Sequence, residues 1–284
     1  MKQLLVPTDF SSSAHAAYIY TLKLASRCGA TVHLLHAFSL LENIFIDRAS
    51  MRKAYNDQQQ AEKTSQLDLL VAEGKNIQPD VTIIPHLFTG PIQQVLLSFI
   101  EQANIDMVVM GTKGATGLES VLIGSVTAAF IGESPVPVLA IPLLYNGNLP
   151  NTIMLAIQDF TAVPETFSKV SDLANLLQAK VKVIVFEYEG ESDVKFAEDK
   201  SAVSRFCHQL QSQYPNLHLE AEVVEGTDFI ESLQDLSRRH GAVILAMITR
   251  RRGFFTQIFK PSLTRKIAKI TEVPLLAIPT GEII

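Results

Sequence analysis

Glycines and hydroxyl side chains between Gly111 and Thr127 form the stretch of this chain whose types and spacing best suit chemistry, and that chemistry is the holding of a phosphate. An apolar, strand-like run, Met107-Val108-Val109-Met110, ends at Gly111; Gly114 and Gly117 fall in a loop; Gly124-Ser125-Val126-Thr127 opens a helix. Glycine lets a main chain approach an anion closely and reach positive φ, and the unpaired N–H groups at a helix start face that anion with the positive end of the helix dipole. Ser125 and Thr127 add hydroxyl donors, and Lys113 either meets a phosphate or extends into water. The same residues also read as an ordinary strand-to-helix loop with a capping serine.

The spacing separates these readings. Two residues lie between Gly111 and Gly114, nine between Gly114 and Gly124, and Ser125 follows directly. No Lys-Ser or Lys-Thr closes the run as in a P-loop, and the shorter dinucleotide fingerprint does not fit. The pattern G-x2-G-x9-G-S resembles the ATP-binding signature of the universal stress protein family, and the opening LLVPTDFS, the strand end LLHAF and the later PVPVLAIP resemble that family too. The resemblance implies ATP, with Mg2+ as its companion. It implies that Asp9 and Gly111 contact ribose and that the backbone of Ala37 reads the adenine edge. Gly114, Gly124, Ser125, Val126 and Thr127 would then bind phosphate, with Pro7, Thr8, Met110 and Lys113 completing the site.

Positioning these residues requires a regular scaffold. Short apolar runs at Leu4–Pro7, Thr31–Ala37, Val81–Pro85, Met107–Met110 and Val136–Ile141 alternate with helical patterns at about Ser12–Cys28, Arg48–Ala72, Ile92–Ala103 and Gly124–Ile131. Near-continuous apolar strands separated by helices indicate a parallel sheet covered on both faces. The pattern then repeats: Pro137-Val138-Leu139-Ala140-Ile141-Pro142 recurs as Pro274-Leu275-Leu276-Ala277-Ile278-Pro279, and Asp9-Phe10-Ser11 as Asp159-Phe160-Thr161. The expected α/β fold is therefore two domains, residues 1–145 and 150–284, joined through Tyr145–Pro150. The resemblance implies two tandem doubly wound, open parallel five-stranded sheets, Rossmann-like and adenine nucleotide alpha hydrolase-like, of order 3-2-1-4-5. In such a sheet the ends of strands one and four flank the ligand crevice. Taken alone, Asp9 could instead cap the helix starting near Ser12, and His36 reads as a hydrogen-bonded core histidine rather than a catalyst.

The second copy departs from the pattern. Gly111 is matched by Ile248, Gly114 by Arg251 and Gly124 by Pro261, leaving only Ser262 for Ser125. Proline lacks an amide donor, and the Ile and Arg side chains occupy the volume a phosphate would need. One nucleotide per chain is expected. Arg250-Arg251-Arg252, with Lys260, Arg265 and Lys266, reads as a solvated loop or an anion site.

Composition narrows the classes. The chain has 284 residues, 47% hydrophobic and 19% charged, with a formal charge of −5. That charge argues against a general nucleic-acid binder. Cys28 and Cys207 are far apart and read as reduced thiols. No targeting or membrane segment stands out, so a cytoplasmic location is expected. Catalytic carboxylate pairs, zinc spacing and a nucleophile elbow are lacking around the loop, and Glu119 alone does not supply them. The expected function is an ATP-binding stress-response or signalling module; the alternatives are a slow ATPase or phospho- or nucleotidyltransferase, and a scaffold that needs no nucleotide. The apolar edge Val138–Ile141 invites pairing. The resemblance implies that the two copies pair as an intramolecular pseudo-dimer, with a homodimer of whole chains beyond that.

Overall fold

Leu4, Leu5 and Val6 follow one another and all are fully buried, which a strand tolerates when both faces of its sheet are covered. In the computed structural model they form β1 (Gln3–Pro7), the centre of the first half of the molecule. The structure describes residues 1–40, 49–112, 124–145, 147–157, 163–188, 193–241, 243–249 and 273–279. After β1 come α1 (Ser12–Cys28), β2 (Thr31–Phe38), α2 (Ala49–Ile77), β3 (Thr82–Thr89), α3 (Ile92–Gln102), β4 (Met107–Gly111), α4 (Ser125–Glu133) and β5 (Val138–Ile141). The second half repeats the alternation with β6 (Thr152–Ala156), α5 (Val163–Leu177), β7 (Lys180–Tyr188), α6 (Asp193–Gln213), β8 (Leu219–Gly226), α7 (Phe229–His240), β9 (Val243–Thr249) and β10 (Leu275–Pro279).

The strands lie in the order β3-β2-β1-β4-β5-β10-β9-β6-β7-β8. Each half thus has the expected order 3-2-1-4-5, with parallel pairs throughout. The two five-stranded sets are joined into one ten-stranded sheet by an antiparallel seam, where Leu139 of β5 faces Leu276 of β10. Strand β3 runs past Pro85 to Thr89, beyond the end the sequence suggested. As an edge strand it has one side without a ladder, so a residue lacking N–H is tolerated there.

Helices cover both faces. On one, Leu4, Val6, Leu34 and Val109 pack with Tyr18 and Leu22 of α1 and Leu67 of α2, and the same core continues across the seam to Ile153, Leu155, Phe167 of α5 and Phe206 of α6. On the other, Leu5, Leu35, Val108 and Met110 pack with Leu96 and Phe99 of α3 and Phe130 of α4. A separate cluster in the second half sets Ile184, Leu245 and Met247 against Leu236 of α7. Helix α1 is held at both ends: Ser11 Oγ accepts from Ala14 N–H, and Gly29, at φ 62°, closes it with its N–H on Ala25 O.

Candidate functional site

Two strands remote in sequence meet at one rim. β1 and β4 are parallel neighbours, with Leu4 beside Met107 and Leu5 beside Val108. The helices that follow them leave on opposite faces, α1 with the Leu4 and Val6 side and α4 with the Leu5 and Val108 side. A doubly wound sheet opens a crevice at such a divergence, beyond the carboxyl ends of its strands. Asp9 stands just past β1, Gly111 ends β4 and Ala37 lies near the end of β2, so these sequence-predicted residues share that rim.

The corner after β1 is built from short hydrogen bonds. Pro7 and Thr8 are buried and Asp9 is exposed. Thr8 N–H donates to Leu35 O at 2.8 Å, and Thr8 Oγ1 accepts from Phe10 N–H at 3.0 Å. Asp9 Oδ1 accepts from Ser11 N–H at 3.0 Å. Ser11, not Asp9, caps α1, which removes the helix cap as a competing role for that carboxylate. These bonds hold Phe10 at φ 63°, a left-handed conformation that costs a bulky residue about 1–3 kcal/mol.

Gly111 is required for space rather than for positive φ. A Cβ there would fall 2.4 Å from Ser13 O and 2.5 Å from Ser13 Oγ, in the first turn of α1. Gly124, at φ −55° and ψ 148°, likewise has no need of a left-handed backbone. Its N–H donates to Thr112 O, and Thr112 N–H donates to Ile141 O at 3.1 Å. Thr127 Oγ1 donates to Gly111 O at 2.8 Å, so this hydroxyl ties α4 to the end of β4. Gly124 offers α4 no side-chain cap, and the first helical bond is Ala128 N–H to Gly124 O at 2.9 Å. The N–H groups of Ser125, Val126 and Thr127 therefore precede the helical ladder, at the positive end of its dipole. Ser125 and Val126 are exposed, and Met110 is buried in the core on the α4 side with Phe130 and Ile131. Lys113 and Gly114, with Gly117 and Glu119, lie outside the described residues, as do Asp159, Arg250–Arg252, Lys260, Pro261, Ser262, Arg265 and Lys266.

His36 was legible in the sequence only as a bonded core residue. Its Nδ1 donates to Thr8 O at 2.7 Å, but its buried Nε2 meets no partner among the described residues. Burial lowers its pKa, keeping the ring neutral. Among the described residues no group of three His, Cys, Asp or Glu side chains could hold a metal ion, and no helix is long and apolar enough to cross a membrane.

The second half differs in register-equivalent positions. Ile248 pairs with Ile278 as Gly111 pairs with Ile141, placing an isoleucine where the first half has its Cβ-free approach. Ile157 N–H donates to Ile184 O at 3.0 Å as Thr8 N–H does to Leu35 O, so Ile157 stands for Thr8. Asp159 accordingly comes one residue later after its strand than Asp9 does.

Comparison with known proteins agrees with this architecture. The profile of the universal stress protein family matches residues 1–142. A universal stress protein of Methanocaldococcus jannaschii is 24% identical over 152 residues, covering 49% of this chain and 94% of that protein. One of Mycobacterium tuberculosis is 24% identical over 199 residues, covering 65% of this chain and 68% of its own length. The crystal structure of a universal stress protein from Archaeoglobus fulgidus superposes with a TM-score of 0.70 at 16% identity, covering 98% of both chains, and so shares the whole fold. The matched profile takes in each element that builds the β1–β4 rim, and the chain belongs to the universal stress protein family.

Proposed function

We propose that the first half binds an adenine nucleotide, ATP, at the β1–β4 rim, and that the protein acts as a nucleotide-dependent stress-response or signalling module in the cytoplasm. The observation that carries this reading is the convergence of an exposed carboxylate at Asp9, a Cβ-free close approach at Gly111 and the uncapped start of α4 at Gly124. Main-chain N–H groups and a helix dipole suit a polyphosphate. A carboxylate suits ribose hydroxyls, which donate. Asp9 and Gly111 thus serve the ribose, Ala37 the base, and Gly114, Gly124, Ser125, Val126 and Thr127 the phosphates, with Pro7, Thr8, Met110 and Lys113 around them. Mg2+ accompanies the triphosphate.

Residues 150–284 form a second domain that carries no nucleotide, a reading supported by Ile248 in the place of Gly111. The antiparallel seam supports an intramolecular pseudo-dimer of this domain with residues 1–145. A homodimer of whole chains completes the proposal. To test the nucleotide site, protein purified without added nucleotide is denatured and the supernatant resolved by ion exchange, beside calorimetric titration with ATP. Wild type is expected to release or take up adenine nucleotide and Gly124→Pro to do neither. A wild-type protein that does neither overturns the reading.

A further inference from the structure

The β1–β2 ladder ends in an unusual way. Thr31 N–H donates to Lys2 O and Thr8 N–H to Leu35 O, both at 2.8 Å. Given the register Gln3 to Thr31 through Pro7 to Leu35, the odd-numbered residues of β2 present their main-chain groups to β1. The next link in that series is Ala37 N–H to the Thr8 carbonyl, and among the described residues it is not made. His36 Nδ1 takes that oxygen instead, at 2.7 Å. A carbonyl only accepts, so Nδ1 carries the proton and Nε2 is the bare lone pair. His36 is 8% exposed, and the Phe10 ring packs against its imidazole at a tilt, with centroids 4.5 Å apart. Phe10 N–H, next in line for the Ala37 carbonyl, goes to Thr8 Oγ1 instead, so among the described residues the β1 side of Ala37 is no longer taken up by the ladder.

We propose that His36 is a positioning residue for base recognition: by ending the ladder one step early with its own Nδ1–H, it releases the N–H and C=O of Ala37 as a donor and acceptor pair for the edge of a purine. Without the imidazole, the Thr8 carbonyl would compete for the Ala37 N–H. Adenine matches the released pair, because N1 accepts and the N6 amino group donates. Guanine presents N1–H and O6 with the opposite polarity, which leaves both main-chain groups unpaired. In the second half, Val185 stands at the register position of His36 and carries no donor.

This role rests on the reading of the crevice as an adenine-nucleotide site, and one experiment tells their failures apart. ATP and GTP are titrated calorimetrically into wild type, His36→Ala and His36→Asn, with circular dichroism melting curves on each. Asparagine can place an amide nitrogen near the position of Nδ1. Wild type is expected to prefer ATP, His36→Ala to lose about tenfold or more of that preference, and His36→Asn to restore it. Wild type that binds neither nucleotide overturns the site and the positioning role together. Wild type that prefers ATP, with the preference unchanged in His36→Ala, overturns the positioning role alone. So does an equal loss of both nucleotides in both variants. If His36→Ala does not fold, His36→Gln replaces it, its amide displaced by one methylene: a preference below that of His36→Asn supports the role, and an equal one overturns it.

Discussion

His33 and His86 are joined across β2 and β3 by a contact of 3.0 Å between Nδ1 and Nε2, and the second half of the sheet sets Lys182 and Glu222, 2.6 Å apart, on the same diagonal. His86 pairs in register with Leu35, two residues beyond His33, as Glu222 pairs with Ile184, two beyond Lys182. His33 Nε2–H donates to Gln3 Oε1 at 2.7 Å, which leaves Nδ1 to accept from His86 Nε2–H. The same diagonal is polar in both halves, neutral in one and ionic in the other.

The neutral version makes stability depend on pH. Burial first, and the neighbouring His33 second, push the His86 pKa down to about 4, and burial also lowers His33 and His36. A histidine in the unfolded chain titrates near ~6.5. The unfolded state therefore binds more protons between these values, so the contribution to stability is complete above about pH 6.5 and is lost as pH falls towards about 4. Calorimetric melting temperatures should fall across that window. The fall should be shallower in His86→Gln, while carboxylates titrating at the acid end act equally on both proteins.

The ionic version should show strong non-additivity. Lys182 is 7% exposed and keeps Glu220 at 3.5 Å as a second partner. Glu222→Leu removes the shorter of these two ion pairs from a buried ammonium and should cost about 1–3 kcal/mol in urea unfolding. Adding Lys182→Met should recover part of the loss rather than deepen it.

Glycines at close approaches should resist substitution while an unhindered one should not. Gly111→Ala drives Cβ against the backbone of Ser13, and Gly74→Ala drives it to 2.0 Å from the Tyr18 hydroxyl. Each should destabilise by about 1–3 kcal/mol. Gly132→Ala, with nothing within 4 Å of its Cβ, should stabilise α4 by up to about 1 kcal/mol. Thermal melts of the three variants provide the comparison.

Loss of the α1 cap should be measurable on its own. Ser11→Ala removes the acceptor for Ala14 N–H, 3.2 Å away, and should lower stability by about 1 kcal/mol in the same assay.

Legibility in the sequence followed how local each cause is. α1 was readable from end to end because Ser11 and Gly29 punctuate it with side-chain and backbone chemistry of their own. β3 was not, because whether Pro85 stops a strand depends on its lying at an edge, which only the assembled sheet decides. Gly111 and Gly124 stood out by spacing, yet the expected need for positive φ does not apply to them; Gly111 is constrained by Ser13, nearly a hundred residues earlier in the chain. The imidazole of His36 takes up the carbonyl of Thr8, just past the end of β1 and 28 residues earlier in the chain, and no local pattern announces that.

The single antiparallel seam sets the polarity of the whole molecule. Because β5 and β10 run in opposite senses while every other neighbouring pair is parallel, the carboxyl ends of the first five strands lie along one border of the sheet and those of the second five along the other. The mouth between β1 and β4 and its counterpart between β6 and β9 thus open at opposite poles, back to back across a shared wall that includes Leu139 and Leu276. A molecule seated at the first mouth therefore faces away from the second, and the sheet itself, through the seam at Leu139 and Leu276, is the element the two poles share.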